Sequence, residues 1–286
     1  EMAADNPTLA QWQLAQELRR LRGDRKFGDV VKAMRTAASS LSRWETPGDG
    51  GAVPGAAAIE RLLDLYEVPE ELERLLALRK QAREPDRWQP YDLERSYRSY
   101  ANIEAQATAI EMYQSQLIPG LAQTEEYARA VIEATMRPNS DVDREVQVRL
   151  TRQEILTREP SPEVWMIIAE AALRQRIGSG KLMADQLDHL TELSTLPNVT
   201  LQVLPYSAGA HAALTLASFS ILRVDHHGLV TVYLQGPSSH MFMSSEENIE
   251  HYSGTFNRLR ASALDEGKPT LKLLRSVTDE HSHDKD

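Results

Sequence analysis

The stretch Asp29-Val30-Val31-Lys32-Ala33-Met34, Arg35-Thr36-Ala37, Ala38-Ser39-Ser40-Leu41-Ser42-Arg43-Trp44-Glu45 decides how the amino-terminal part of the chain is read. Val30, Val31 and Met34 fall at helical spacing, as do Leu41 and Trp44, and the residues between the two runs suit a tight connection. Val31 and Met34 are expected to face Leu41 and Trp44 across that turn, which holds two short helices at a steep angle. The second helix then turns Ser39, Ser40, Ser42 and Arg43 outward. Short hydroxyls let a helix sit deep in a DNA major groove, and an arginine there can reach a guanine edge or a phosphate.

Moving outward, Leu14, Leu18 and Leu21 repeat at helical spacing beside Arg19, Arg20 and Arg22. Downstream, Ile59, Leu62, Leu63 and Tyr66 repeat, then Leu72, Leu75, Leu76 and Leu78. The pattern predicts one all-α unit over residues 10–80. Between residues 17 and 45 the cations Arg19, Arg20, Arg22, Arg25, Lys26, Lys32, Arg35 and Arg43 outnumber Glu17, Asp24, Asp29 and Glu45, on a chain whose net charge is −10. A local basic excess on an acidic protein is the footprint of a phosphate-docking surface, although a solvated helix face has the same composition. Arg25, Lys26, Lys32 and Arg35 are the candidate phosphate contacts, with Ser39, Ser40, Ser42 and Arg43 on the reading face.

This stretch, down to Leu41-Ser42-Arg43-Trp44-Glu45, resembles the lambda-repressor-like helix-turn-helix of the xenobiotic-response-element type. Ile59 to Pro69 is similar to that family's fourth helix. The resemblance implies double-stranded DNA as a partner and a homodimer as the binding species. Three departures stand out. Arg35 occupies a turn position where the family usually has glycine, and a left-handed backbone there would cost about 1 kcal/mol. Phe27-Gly28-Asp29 stands where a phosphate-gripping amide is common, and Asp29 would repel phosphate. The loop from Thr46 to Gly55 is longer than the family's and has no basic residue.

Residues 81–96 are polar, contain Pro85 and Pro90, and read as a linker. Beyond them the pattern mixes periods. Helices are predicted from Ile103 to Leu117, from a Thr124 cap to Met136, and from a Ser140 cap, with Asp143 as the acid of a capping box, to Ile155. Strands are predicted at Val164–Ile168, around Val199, Leu201 and Val203, around Phe219 and Ile221, and around Val230, Val232 and Leu234, the last two joined by a loop at Asp225–Gly228. Helices are expected at 181–194 and 246–264, and a flexible tail at 277–286. The fold class is therefore an all-α helix-turn-helix amino-terminal domain followed by an α+β carboxy-terminal domain over 97–276.

From Tyr97 to Arg275 the chain resembles the uncharacterised domain that follows such helix-turn-helix modules in many actinobacterial regulators. The matching stretches are Glu104-Ala105, Pro119 to Arg129, Arg149 to Leu156, Glu170 to Arg174, Leu204 to His211, and Phe256 to Arg260. The resemblance implies a regulator whose second domain recognises a small-molecule effector or a small partner protein. Candidate residues for that site are Glu104, Gln123, Tyr127, Arg149, Arg152, Glu170, Arg174, Tyr206 and His211. Pro119-Gly120 also reads as a plain helix corner. Arg149, Arg152, Glu170 and Arg174 form either a buried ion network or a cavity lining for a carboxylate or phosphate. Tyr206 and His211 sit on a loop after a strand, where ligand groups often lie.

Several classes are excluded or disfavoured. The absence of cysteine removes disulfides, thiolate catalysis and zinc-thiolate sites, and makes a cytoplasmic chain the simplest reading. No run approaches the ~18 apolar residues of a membrane span, and no secretion signal is expected. Gly178-Ser179-Gly180-Lys181 lacks the spacing of a phosphate loop and reads as a turn before a helix. His226 and His227 make a poor metal pair, and His281 with His283 lies in the expected tail. No catalytic group, cofactor or metal is predicted. The leading function is a sequence-specific transcriptional regulator with a sensing domain. The alternatives are a regulator-derived enzyme (cyclase-like) or ligand carrier with an eroded DNA surface, and a protein-interaction module.

Overall fold

The computed structural model describes residues 9–46, 51–83, 95–135, 141–224, 229–235 and 240–283. The chain groups into two compact units, Glu1–Ile103 and Glu104–Asp286. The first contains five helices among its opening described residues: α1 (Leu9–Arg22), α2 (Phe27–Met34), α3 (Ala38–Trp44), α4 (Ala56–Tyr66) and α5 (Leu72–Gln81). Their apolar stripes meet in one core built on Leu14, Leu18, Val30, Met34, Leu41, Ile59, Leu62, Leu63, Tyr66 and Leu75. Val30 rather than Val31 is the deeply buried valine of α2, while Val31 and Trp44 pack at the core's edge. Val53 also packs on this core, and the amide N–H of Ala52 donates to the Arg43 carbonyl (2.8 Å), which ties residues 52 and 53 to the end of α3. Most of the predicted 81–96 linker lies outside the described residues; α6 (Arg95–Glu104) follows it.

The second unit is built on a six-stranded mixed sheet in the order β3-β2-β1-β4-β5-β6. The strands are β1 (Ala109–Gln114), β2 (Glu163–Ala169), β3 (Val199–Leu204), β4 (Phe219–Val224), β5 (Leu229–Gln235) and β6 (His240–Met243). β1, β2 and β3 run parallel, with Met112 beside Met166 and Met166 beside Leu201. β4 returns antiparallel along β1, and β5 and β6 continue the meander. Parallel neighbours require crossovers. The first is supplied by α7 (Glu125–Thr135) and α8 (Val142–Gln153), the second by α9 (Glu170–Arg174) and α10 (Gly180–Leu193). On one face Tyr252, Phe256 and Leu259 of α11 (Glu246–Ser262) pack on Tyr113, Ile167, Phe219, Ile221 and Val232.

Three readings of the sequence change. The helix predicted from Ile103 to Leu117 is instead the end of α6 and the strand β1. Ile103, Ala107 and Ile110 fit a helical period, but Ile110 and Met112 also alternate, and pairing on both sides decides for the strand. The Ser140 cap lies outside the described residues; Asp141 is the residue that caps α8, its carboxylate accepting from the Arg144 N–H. The predicted 277–286 tail is helical as far as α12 (Lys268–His283) extends. Val277 and His281 are buried, and the His281 Nε2 lies 2.9 Å from the Leu173 carbonyl. The predicted Thr124 cap is present, its hydroxyl accepting from the Tyr127 N–H at 3.2 Å. The hairpin loop Asp225–Gly228 lies outside the described residues, although β4 and β5 pair as expected.

Candidate functional site

The helix-turn-helix is built around a strained connection. Arg35 adopts a left-handed backbone at φ 48°, ψ 46°. Its N–H donates to the Lys32 carbonyl and that of Thr36 to the Val31 carbonyl, which closes the end of α2 in a Schellman-type pattern. Arg61 of α4 adds a third tie, donating to the Met34 carbonyl at 2.7 Å. These bonds hold in place a conformation that costs a non-glycine residue about 1 kcal/mol.

The turn leaves α3 on the surface. Ser39, Ser42 and Arg43 are exposed and Ser40 is half-buried, while Leu41 on the opposite side is fully buried. Lys26, Lys32 and Arg35 are exposed, and no ion pair engages them or Arg43 among the described residues. Arg25 is different. It donates to the Tyr66 carbonyl at 2.9 Å and lies 5.4 Å over the Tyr66 ring, tying the start of α2 to the end of α4. Two further cations of the 17–45 excess are also spoken for. Arg20 pairs with Glu17 at 2.8 Å, and Arg22 holds the buried Glu45 at 2.9 Å. Burial nevertheless keeps the Glu45 carboxyl above its ordinary value, and it pushes the Tyr66 phenol up to about 12. Gly28, in the first turn of α2, has a normal φ and nothing in the protein near a hypothetical Cβ. The fold therefore does not demand glycine there.

In the second unit the nine predicted residues fall into two sets. Glu104, Gln123, Tyr127, Arg149 and Arg152 form a buried polar lattice, in which the Arg149 Nε alone of these side chains' buried atoms has no hydrogen-bond partner among the described residues. Arg152 donates to both oxygens of Glu104 at 2.6 and 2.8 Å, and both side chains are buried. Arg149 donates to the Gln123 Oε1 at 2.6 Å, the Gln123 amide donates to the Ile118 carbonyl, and the Tyr127 hydroxyl accepts from the Ile118 N–H. Gly120 explains the corner motif: a Cβ there would sit 3.1 Å from the Arg149 Cδ. Two residues outside the predicted set complete the lattice. Gln153 donates to the carbonyls of Gly120 and Gln123, and the buried Gln186 bridges Ala122 and Thr124. Gln186 carries no local signal, whereas Gln153 lies within the matching stretch Arg149 to Leu156, which could have marked it.

The other set surrounds a cavity of about 510 Å³ at the carboxyl ends of β1, β2 and β3. Glu170, Tyr206 and His211 line it together with Tyr113, Leu204 and Leu214. Glu170 is committed to the protein: one oxygen accepts from Arg174 at 2.7 Å and the other from the Tyr206 N–H at 2.7 Å. Arg174 also pairs with Glu280 of α12 and so stands behind the cavity. Tyr113 escapes the sequence reading because the period around it also fits a helix. Leu214 escapes it because a single exposed leucine carries no signal.

Ser179 caps α10, accepting from the Leu182 N–H, as expected for a turn at Gly178-Ser179-Gly180-Lys181. Among the described residues no group of three or more His, Asp or Glu side chains is placed to hold a metal ion. No described helix is long and apolar enough to cross a membrane.

The fold and the exposed α3 define a helix-turn-helix, DNA-binding regulator, and a family described as a helix-turn-helix domain matches residues 13–76. The chain belongs to the family described as a domain of unknown function (DUF5753), which matches residues 97–276. No curated protein and no solved structure matches it.

Proposed function

We propose that the protein is a sequence-specific, dimeric transcriptional regulator whose second unit responds to a small-molecule effector. The observation that supports this reading is the exposed α3, with Ser39, Ser42 and Arg43 outward, and the exposed cations Lys26, Lys32 and Arg35, which no ion pair engages among the described residues. Arg43 reads a base edge and the serines allow the close approach. Lys26, Lys32 and Arg35 hold phosphates. Arg25 serves the fold first, since it already caps α4. At Gly28 the bare backbone lets a phosphate come close to the α2 amides, which offsets the repulsion from Asp29. The site acts where the chromosome is, in the cytoplasm of a bacterium.

Selection of random duplex DNA on the purified chain tests this. Enrichment of a palindromic site is expected, with log affinity falling as salt rises at a slope of several units. Absence of enrichment, with a salt slope no steeper than that of a nonspecific acidic protein, overturns it.

A further inference from the structure

The cavity at the ends of the parallel strands has features that the polar lattice lacks. In sheets with parallel strands, ligands sit in crevices outside the carboxyl ends, because the crossover connections diverge there. Here the chain leaves β1 at Gln114, β2 at Ala169 and β3 at Leu204, and the residues that follow each strand line one concavity. Its volume of about 510 Å³ falls within the roughly 300–1,000 Å³ of small-molecule sites.

The lining specifies the chemistry. Tyr113, Leu204 and Ala213 are buried in its wall, and the exposed Tyr206 and Leu214 stand at its rim. Tyr206 (63% exposed) and Leu214 (66%) are two of the large apolar side chains left most open to water among the described residues. Glu170 is the lone charged side chain on the wall, and its two oxygens already accept from Arg174 and from the Tyr206 amide. Paired with Arg174, it leaves the wall without net charge and offers a cation no open oxygen pair, so the cavity favours neutral ligands. Ser115, Gln116 and His211 bring polar side chains to the wall, and His211 lies against the aromatic part of it. Its ring lies edge-on to Tyr113 (centroids 6.2 Å apart), and its Nδ1 is buried with no hydrogen-bond partner among the described residues. With Nδ1 closed to solvent, Nε2 is the ring nitrogen left for a ligand in the cavity. Burial also holds the Tyr113 phenol above its ordinary value, so this wall stays uncharged.

We infer that this cavity binds a neutral, largely apolar aromatic molecule that presents one hydroxyl or N–H group to the His211 imidazole. The aromatic part lies between Tyr113 and Tyr206, with Leu214 closing over it. This deepens the effector reading above and rests on it for its consequence on DNA, not for binding itself.

The test uses the full chain and N-phenyl-1-naphthylamine, a neutral aromatic probe with one N–H that fluoresces when shielded from water. Saturable one-to-one binding is expected. Gln116→Trp and Leu214→Arg, both at exposed positions of the mouth, lower the affinity by about tenfold or more, since each fills or charges the space the ring system needs. His211→Phe keeps the ring against Tyr113 and lowers it about three- to tenfold. Met241→Ser, at an exposed apolar residue outside the cavity, leaves affinity unchanged. Absence of saturable binding overturns the inference. So does unchanged affinity in the two mouth variants, or a loss in Met241→Ser as large as theirs. The selected DNA separates the two readings. Probe binding that leaves DNA affinity unaltered keeps the cavity and removes the effector reading, whereas intact DNA binding without probe binding removes the cavity alone.

Discussion

Arginines concentrate in two regions of this molecule, and the regions use them in opposite ways. On the helix-turn-helix, Arg35 and Arg43 stand exposed with Lys26 and Lys32, engaged by no ion pair among the described residues. In the second unit, Arg152 is buried against Glu104, and Arg149 is spent on Gln123 over a glycine. A guanidinium held inside the protein by a carboxylate or an amide fixes geometry, even where one donor, the Arg149 Nε, is buried without a partner among the described residues. One held at the surface by a rigid helix, with its donors open, is ready for a phosphate or a base edge. Arg25 lies between these cases, exposed yet committed to the Tyr66 carbonyl.

The largest expected effect breaks the interior side of the comparison. Arg152→Ala leaves the Glu104 carboxylate buried without its bidentate partner and should cost about 3–5 kcal/mol, read as a fall in the thermal midpoint. DNA affinity of the protein that remains folded should not change. Arg43→Ala tests the other side. It should weaken binding to the selected site by about 1–3 kcal/mol, roughly 5- to 150-fold, with no change in melting temperature. A melting shift without an affinity loss would make Arg43 a residue of the fold.

Arg35→Gly sharpens the contrast, because it should move stability and binding in opposite directions. Glycine relieves the left-handed strain and stabilises by up to about 1 kcal/mol, while the loss of a phosphate contact lowers the salt slope by about one. The smallest effect concerns pH. Burial raises the Glu17 carboxyl, but hydrogen bonds from Arg20 and Arg74 outweigh it and hold the group below its ordinary value. As pH falls, the unfolded chain takes up this proton first. The contribution is therefore complete above the usual glutamate range and is lost as pH drops through the lowered value. Glu17→Gln should flatten that acid-side loss in melts of the chain.

Helix α12 shows how a local reading of polarity fails. Asp279, Glu280, His281 and Ser282 look like a solvated end, yet the side of the helix that carries Val277 and His281 is buried, and Glu280 reaches Arg174. A polar stretch can be amphipathic with only one apolar residue per turn when a histidine finds a carbonyl. The candidate cavity was half legible for a related reason. Tyr206 and His211 drew notice as a loop after a strand, and Glu170 as part of a charged motif. Nothing local could bring Tyr113 and Leu214 to them, since those residues meet only when β1 pairs with β2 and the segment after β3 folds back.

The sequence by itself determined the helix-turn-helix. Its contacts are short-range, so the 3.6-residue period, the tight connection and the outward serines already specify which side is buried. It also determined four of the six described strands of the second unit, β3, β4 and β5 through alternation and β2 as a continuous apolar run. Tertiary structure alone decided the identity of β1, the course of α12, and the division of nine polar residues into a buried lattice and an open cavity. Those outcomes depend on partners far apart in the chain, such as Glu104 with Arg152 and Arg174 with Glu280. A side chain's pattern records which way it faces; whether its polar atoms are already satisfied depends on what folding brings opposite it.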